Sequence, residues 1–280
     1  VAITVAFLAS CVHLGDLNLE PIPDIDFTVE SSGLTLTFTS TVQGTSDIKW
    51  DIVSLGTGTG DTFSYTFPKP GTYWVSMTGT YKGQQQTVST KVMVAKPAKV
   101  SMTDNTVRDW DNVTYPDFIF TGEEGYYIQL KVDYDANFVY MYVKWDTNAP
   151  KADVNEAILN LRIDSDDNKS TGISTKGVGA DFYYEGNIFG DEPWGDWYIP
   201  KDGDWDWDET TTNAMITGHR EVTEDEFVEI EFALPRKTFG ITGTSFSFYS
   251  KFYHCDWDDS DIAHDSDGNT VLKINMDKME

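Results

Sequence analysis

Cysteine is scarce in this 280-residue sequence and occurs only as Cys11 and Cys255. The two cysteines lie in different predicted domains, so we do not expect a disulfide between them. The four histidines have no zinc-like spacing with cysteine, and no H-E-x-x-H, G-x-S-x-G or glycine-rich phosphate motif is present. A glycosidase needs two carboxylates at a fixed separation, which a sequence alone does not show. We therefore expect a protein that is not an enzyme.

Basic residues are also few, with 20 Lys and Arg against 46 Asp and Glu, for a net charge of −26. Such a field repels phosphate backbones, so nucleic acid is excluded as an expected partner. Hydrophobic residues make up 40% of the chain and aromatic residues 14%, which is too apolar for a disordered acidic chain. The composition indicates a folded, acidic, extracytoplasmic protein.

The first apolar stretch, residues 1–7, is too short to span a bilayer. It runs into Leu8-Ala9-Ser10-Cys11, which has the form of a lipobox with Cys11 as the lipidation site. The alternative is an ordinary buried strand, but the polar, proline-bearing residues 14–26 are typical of a tether. We expect residues 1–22 to be a lipoprotein signal remnant and tether. This predicts a lipid anchor that holds the protein on a membrane without crossing it.

Residues 23–96 alternate apolar and polar side chains with a period of two, which predicts β-strands. Turn sequences rich in glycine and proline separate the strands, so a seven-stranded, immunoglobulin-like sandwich is expected. Residues on one face are Leu34, Leu36 and Phe38 in one strand, Phe63, Tyr65 and Phe67 in a second, and Tyr73, Val75 and Met77 in a third.

Two motifs of this region carry a family resemblance: Trp50-Asp51, and the later run Pro70-Gly71-Thr72-Tyr73-Trp74-Val75. Together they resemble the PKD repeat family. The sequence departs from that family at residues 52–56, where Ile-Val-Ser-Leu-Gly replaces the usual aspartate-glycine turn. The resemblance implies a spacer domain, and we assign no site to it.

Residues 97–280 contain longer and more aromatic strand patterns and form the second predicted domain. Residues 138–145 are apolar on both faces, as in a central strand, and Trp110 and Trp145 are expected in the core. One short helical pattern is present at residues 153–159. We therefore expect an all-β protein whose second domain is a larger, antiparallel, jelly-roll-like β-sandwich.

An acidic loop lies in the middle of this domain. Oxygen-bearing side chains alternate at Asp164, Asp166, Asn168 and Ser170, and Gly172 follows them. A hard cation such as calcium needs ligands of this kind, and a bound dication relieves the repulsion between the carboxylates. The alternative is a plain exposed turn, which has the same residue types. The pattern predicts a structural Ca²⁺ site.

Tryptophan and acidic residues are concentrated in residues 191–208. A pyranose has an apolar face and a rim of hydroxyls, so a flat aromatic ring among carboxylates suits it. We expect an exposed loop that binds sugar, although core packing is the alternative for each ring. The predicted ligand-binding residues are Trp194, Trp197, Tyr198, Trp205, Trp207 and Trp257.

Three segments of this second domain look like parts of the sandwich related to family 9 carbohydrate-binding modules. They are residues 104–110, residues 135–143, and the Asp164 loop with Gly179-Ala180-Asp181. The resemblance implies a non-catalytic module that binds glycan on the cell exterior, with a structural calcium for which Asp181 is a further ligand candidate. Modules of that kind recur in surface lipoproteins that carry a PKD or immunoglobulin-like spacer, so the resemblance implies a lipid-anchored location at the outer membrane, on the cell surface.

Two functions of different classes follow. The first is non-catalytic binding of polysaccharide or oligosaccharide at the bacterial cell surface, in the setting of polysaccharide utilisation. The second is a calcium-stabilised adhesion or scaffolding lipoprotein whose tryptophan cluster meets a protein partner, with outer-membrane transporter proteins as candidate partners.

Overall fold

A computed structural model describes residues 25–114, 119–122, 127–147, 153–223, 227–255, 257 and 259–277. Within these ranges the chain is almost entirely antiparallel β-sheet, which confirms the expected all-β fold. Their helices are a 3₁₀ helix at Arg108–Asn112 and one short α-helix, α1, at Glu209–Ala214. No helix of the described residues is long and apolar enough to cross a membrane. Cys11 and residues 1–22 lie outside the described residues.

The first part of the chain forms seven strands in two sheets. In chain order they are β1 (Phe27–Ser32), β2 (Thr35–Ser40), β3 (Ser46–Ile52), β4 (Gly56–Thr59), β5 (Thr62–Thr66), β6 (Gly71–Tyr81) and β7 (Gln84–Val94). One sheet has the order β1-β2-β5 and the other β4-β3-β6-β7. The predicted seven-stranded sandwich is therefore present.

Trp50 is the centre of the first core. Its ring is 1% exposed and packs 5.2 Å from Phe27 and 5.8 Å from Phe38, while its indole N–H donates to the carbonyl of Gly60 at 2.8 Å. The alternation predicted for β2 and β6 is realised, because Phe38 and Val75 are completely buried and their neighbours on either side are more exposed. Burial of such rings dominates the stability of small sandwiches.

The second part of the chain forms a twelve-stranded sheet system together with a separate two-stranded hairpin. Its strands are β8 (Ile119–Gly122), β9 (Tyr127–Tyr134), β10 (Phe138–Asp146), β11 (Ile158–Asp164), β12 (Ile173–Thr175), β13 (Val178–Ala180), β14 (Phe182–Asn187), β15 (Trp194–Lys201), β16 (Asp204–Trp207), β17 (Ile216–Val222), β18 (Phe227–Pro235), β19 (Ser245–Cys255), β20 (Asp259–His264) and β21 (Leu272–Asn275).

These strands make two layers that are joined where β8 pairs with β20. One layer runs β8-β9-β10-β18-β17, and the other runs β20-β19-β11-β14-β15-β16, with β21 also beside β19. Trp145 of the first layer packs 5.0 Å from Phe252 of the second, and Phe120 packs 5.8 Å from Phe248. The layers thus share one core, in which Trp110 and Trp145 are buried as expected.

A buried ion pair lies at the junction between the two sandwiches. Lys96 is 4% exposed, pairs with Asp133 and lies 4.6 Å from the ring centre of Tyr134. The other oxygen of Asp133 accepts the backbone N–H of Lys99 at 2.6 Å. Residues 96–99, which connect the two sandwiches, are therefore packed onto strand β9.

Two secondary-structure expectations were wrong. The helical pattern at residues 153–159 is a turn that leads into strand β11, because Ala157 and Leu159 are packed in the core. The segment expected to be a binding loop, residues 191–208, is instead the β15–β16 hairpin at the edge of the second layer. Strand geometry therefore decides which of its rings face water.

Candidate functional site

The β15–β16 hairpin is closed by the two-residue turn Asp202-Gly203. Both residues have positive φ, 53° and 85°, as the type I′ turn of a tight hairpin requires. Helix α1 then holds β15 in place, because the backbone N–H of Trp197 donates to the Thr212 hydroxyl at 2.9 Å. Asp208 caps that helix by accepting the N–H of Thr211 at 2.8 Å. The hairpin is thus fixed at both ends.

Alternation along β15 divides its aromatic rings between core and surface. Trp197 is 0% exposed and packs 5.2 Å from Tyr184 and 4.6 Å from Phe239. Its prediction as a sugar-binding ring was wrong, since a ring enclosed on both faces has none left for a ligand. Trp194 and Tyr198, at odd spacing from Trp197, lie on the opposite, outer face of the sheet.

Four residues of the outer face lie in register across neighbouring strands, and we call them the aromatic row. The Tyr183 ring lies 5.7 Å from the Tyr198 ring, and the guanidinium of Arg162 lies 4.6 Å from the Tyr183 ring centre. Trp207, at the free edge, is 52% exposed and donates its indole N–H to Asp196 at 2.9 Å. From the edge inward the aromatic row is Trp207, Tyr198, Tyr183 and Arg162.

Three further predicted rings lie around this row. Trp205 is half-buried, 5.4 Å from Tyr183, and packs on the apolar cluster beneath the β12–β13 hairpin. Trp194 is 50% exposed at the start of β15. Trp257 is 48% exposed and lies 5.1 Å from the ring of Tyr253, an outer-face residue of β19. Trp194 and Trp207 therefore offer the most open rings of the hairpin.

A second set of side chains crosses the same face, and we call it the polar row. On β15, β14 and β11 its members lie two residues along the strand from the members of the aromatic row. Asn160 donates from its amide to the Tyr183 hydroxyl at 2.6 Å and to Glu185 at 3.3 Å. The Tyr183 hydroxyl donates to Glu185, and burial together with that carboxylate raises the pKa of Tyr183 above its ordinary value. The polar row is Asp196, Glu185, Asn160 and Lys251.

Sequence reasoning missed the inner part of both rows. Strand β11 reads Leu159-Asn160-Leu161-Arg162-Ile163, so its alternation already places Asn160 and Arg162 on the outer face. What the sequence did not contain was the pairing that puts them beside Tyr183 and Glu185, since register across strands is a non-local property.

Three carboxylates of the acidic loop come together. Oxygens of Asp164, Asp166 and Asp181 lie within 4.8 Å of one another. Asp164 is 1% exposed, and its burial raises the pKa of the carboxyl above its ordinary value. A cluster of carboxylate oxygens of this kind fits a hard cation, which takes oxygen ligands and offsets their mutual repulsion. The cluster could therefore hold a metal ion.

The loop is folded tightly around these carboxylates. Asp164 accepts the backbone N–H of Asn168 at 2.8 Å and that of Gly179 at 3.1 Å. A Cβ on Gly179 would lie 2.5 Å from the carbonyl of Thr171, so only glycine fits there. The Asn168 amide oxygen accepts the N–H of Ser170 at 3.1 Å. Metal ligation by the side chains of Asn168 and Ser170 stays a prediction.

Asp167 anchors the loop to the neighbouring strands. Its carboxylate accepts hydrogen bonds from Ser245 at 3.0 Å and from Ser247, both on β19, and pairs with Lys273 on β21. Burial raises the pKa of Asp167, but the hydrogen bonds from these three side chains outweigh it and leave the pKa below its ordinary value. The acidic loop is thus held against the sheet by its own side chains.

The acidic cluster and the two rows share the same strands. Asp164 follows Arg162 by two residues on β11, and Asp181 precedes Tyr183 by two residues at the start of β14. Alternation therefore places both carboxylates on the outer face, one row beyond the aromatic row. An ion bound there would fix the relative position of the strands that carry Arg162 and Tyr183.

Comparisons with known proteins add little beyond the fold. No protein-family model and no curated protein matches the chain. Similar solved structures include the PKD1 domain of Vibrio anguillarum Epp, 22% identical with a TM-score of 0.24, and the PKD1 domain of the Vibrio cholerae metalloprotease PrtV, 25% identical with a TM-score of 0.23. Each covers 26% of this chain, and the alignments include 93% and 95% of the respective domains.

A third structure is described as showing the basis of promiscuous specificity in carbohydrate-binding modules of the β-sandwich superfamily. It is 14% identical, covers 90% of this chain and 98% of its own, and has a TM-score of 0.27. At TM-scores this low the comparisons support no function, so a function has to be argued from the geometry of the site itself.

Proposed function

We propose that this protein is a non-catalytic, glycan-binding module whose outer sheet face holds polysaccharide. The observation that carries the proposal is the pair of rows on one face, with the rings of Trp207, Tyr198 and Tyr183 beside the hydrogen-bonding groups of Asp196 and Glu185. A sugar ring stacks its C–H face on such rings while its hydroxyls bond to carboxylates and amides.

The expected affinity of one site is modest. Each stacked ring contributes on the order of 0.5–1.5 kcal/mol beyond its buried area, and the polar groups give up water to bind hydroxyls. Weak single sites hold long polymers well when many copies act together, because each later contact is effectively intramolecular. Such behaviour suits a protein that retains polysaccharide at a surface.

We further propose that the metal is calcium and that it is structural. Asp164, Asp166 and Asp181 would hold it, since three carboxylates within 4.8 Å match the oxygen preference of Ca²⁺. When bound, the ion would neutralise repulsion between these groups. The chain's own residues, above all Asp164 with its bond to the Gly179 N–H, shape the loop around it.

Removal of calcium by EGTA is expected to lower the free energy of unfolding. At free calcium about ten times the dissociation constant, the loss is about 1.4 kcal/mol. Asp181→Asn should abolish this calcium dependence, because it removes one of the three carboxylates of the cluster. The loop should stay folded, because Asn keeps an oxygen that can accept the hydrogen bonds from the Ser165 N–H and hydroxyl, which Asp181 now accepts at 2.9 and 2.7 Å. Thermal unfolding with and without EGTA measures both effects.

Asp267→Asn is the matched control for that experiment. Asp267 is an exposed carboxylate in another acidic turn, so its loss removes the same charge without touching the cluster. The control should retain the full calcium dependence. A wild-type protein whose unfolding is identical in calcium and EGTA would remove the metal proposal and leave the sugar-binding proposal in place.

Affinity electrophoresis tests the sugar-binding proposal. Native gels that contain neutral polysaccharides, such as glucans, xylan and mannans, are expected to retard the protein relative to gels without polysaccharide. Equal migration in every gel, together with recovery of one outer-membrane protein in a pull-down, would favour the adhesion alternative.

For location, we propose attachment to the outer membrane through lipid on Cys11, facing the cell exterior. Support comes from the Leu8-Ala9-Ser10-Cys11 sequence and from the polar residues that follow it. Transporter proteins of the same membrane are then the proposed protein partners, since they would receive the sugar that the module retains.

A further inference from the structure

The polar row crosses the strands of the second layer in a straight line. Pairing places Asp196 beside Glu185, Glu185 beside Asn160, and Asn160 beside Lys251. Neighbouring strands are about 4.8 Å apart, so the row is about 14 Å long. Each step is close to the length of one pyranose unit. The line is thus suited to a chain that runs perpendicular to the strands.

The aromatic row runs parallel to it and has one open and one closed end. At the open end, Trp207 lies on the free edge strand β16 and is 52% exposed. At the other end Arg162 is followed by Tyr249, which is 4% exposed and packs with Val178 and Ala180 of the β12–β13 hairpin. The hairpin therefore forms a wall, and the usable face extends from that wall past the edge of the sheet.

The charges of this face are unfavourable for a polyanion. Its cations already have partners on the protein: Arg162 lies on the Tyr183 ring, and Lys251 lies 4.3 Å from the ring centre of Tyr253. The carboxylates of Glu185 and Asp196 lie on the next two strands toward the sheet edge, and the whole chain carries a net charge of −26. Chains rich in uronate or sulfate would be repelled.

We infer that the outer face binds an internal run of a linear, uncharged glycan that lies across the strands, an inference that rests on the proposed function. Asn160 is 3% exposed and is hydrogen-bonded to Glu185, so the contacts with sugar come from the rings and from the carboxylates of Glu185 and Asp196. A row length of about 14 Å accommodates about three sugar units. The wall closes only the inner end of the aromatic row, and the polar row continues past it to Lys251 on β19, so this arrangement does not require a chain end. Affinity should therefore depend on chain length and not on the chemistry of the reducing end.

Isothermal titration calorimetry tests the inference with the full chain. The probes are gluco-, xylo-, manno- and malto-oligosaccharides of one to six units, a borohydride-reduced hexasaccharide of each series, and polygalacturonate. For the series that binds, affinity is expected to rise at least tenfold from the monosaccharide to the tetrasaccharide and then to level off. The reduced hexasaccharide should bind as tightly as the unreduced one, and polygalacturonate should not bind.

The variants Trp207→Ala and Trp74→Ala separate this face from the rest of the surface. Trp74 is an equally exposed tryptophan, 49% against 52%, but it lies on the first sandwich. Only Trp207→Ala should weaken binding of the tetrasaccharide. In this variant the affinity should level off at a shorter chain length.

Three results would overturn the inference while leaving sugar binding intact. They are a monosaccharide that binds as tightly as the tetrasaccharide, a reduced hexasaccharide that no longer binds, and binding by polygalacturonate alone. If none of the probes binds, the proposed function itself fails.

Discussion

Replacement of Trp197 by alanine is expected to lower the free energy of unfolding by about 3–5 kcal/mol, the range for removal of a large ring from a packed core. Trp197 is 0% exposed, and its ring lies between Tyr184 on the neighbouring strand and Phe239. Truncation leaves a cavity that these two rings cannot fill without leaving their own sites. Urea denaturation measures the change.

Trp197→Phe serves as the conservative comparison, since it keeps an aromatic ring in the same place. It should lose much less stability than the alanine variant. If Trp197→Ala unfolded at the wild-type denaturant concentration, Trp197 would have to be a surface ring. The division of β15 into core and surface sides would then be wrong.

Replacement of Trp207 by alanine is expected to weaken glycan binding about 30-fold with little change in stability, in contrast to Trp197→Ala, which is expected to lower stability. Exposed tryptophans that anchor a ligand are each worth about 2 kcal/mol when truncated. The ring is half-exposed on the edge strand, and its one hydrogen bond, to Asp196, lies at the surface. Retardation in polysaccharide gels and urea denaturation of the same sample measure the two effects.

Trp74→Ala is the matched control for Trp207→Ala. Trp74 is as exposed, and Lys91 lies 5.4 Å from its ring centre, but it belongs to the first sandwich. The Trp74→Ala variant should bind glycan like the wild type. Equal weakening by the two variants would indicate a general loss of surface hydrophobicity and not a site on the second layer.

Much of the fold was predictable because its signal is local. Alternation with a period of two gave the strands around Phe38 and Val75 and the central strand at residues 138–145, all of which are present. The same local signal gave the acidic cluster, because Asp164 and Asp166 are neighbours in sequence. Asp181 joins them through the pairing of β11 with β14, and the family resemblance had implied it.

The proposed binding face was only partly predictable, because its key contacts are non-local. Trp194, Tyr198, Trp205 and Trp207 were identified by composition, but composition does not reveal alternation, and Trp197 was wrongly included. Residues 191–208 were taken for a loop because their acids disfavour a core strand, whereas an edge strand tolerates them on its solvent side. Register between β11 and β14 then decides which polar groups meet the rings.

Fluorine NMR of protein labelled with 5-fluorotryptophan tests the central claim most directly, because each ring reports its own contact with sugar. Resonances are assigned with single Trp→Phe variants, and the sample is titrated with the hexasaccharide of the polysaccharide that retards the protein in gels. The resonances of Trp205 and Trp207 should shift and saturate together, while those of Trp74 and Trp197 stay in place. Saturating shifts at Trp74, with none at Trp207, would contradict a glycan site on the outer face of the second sandwich.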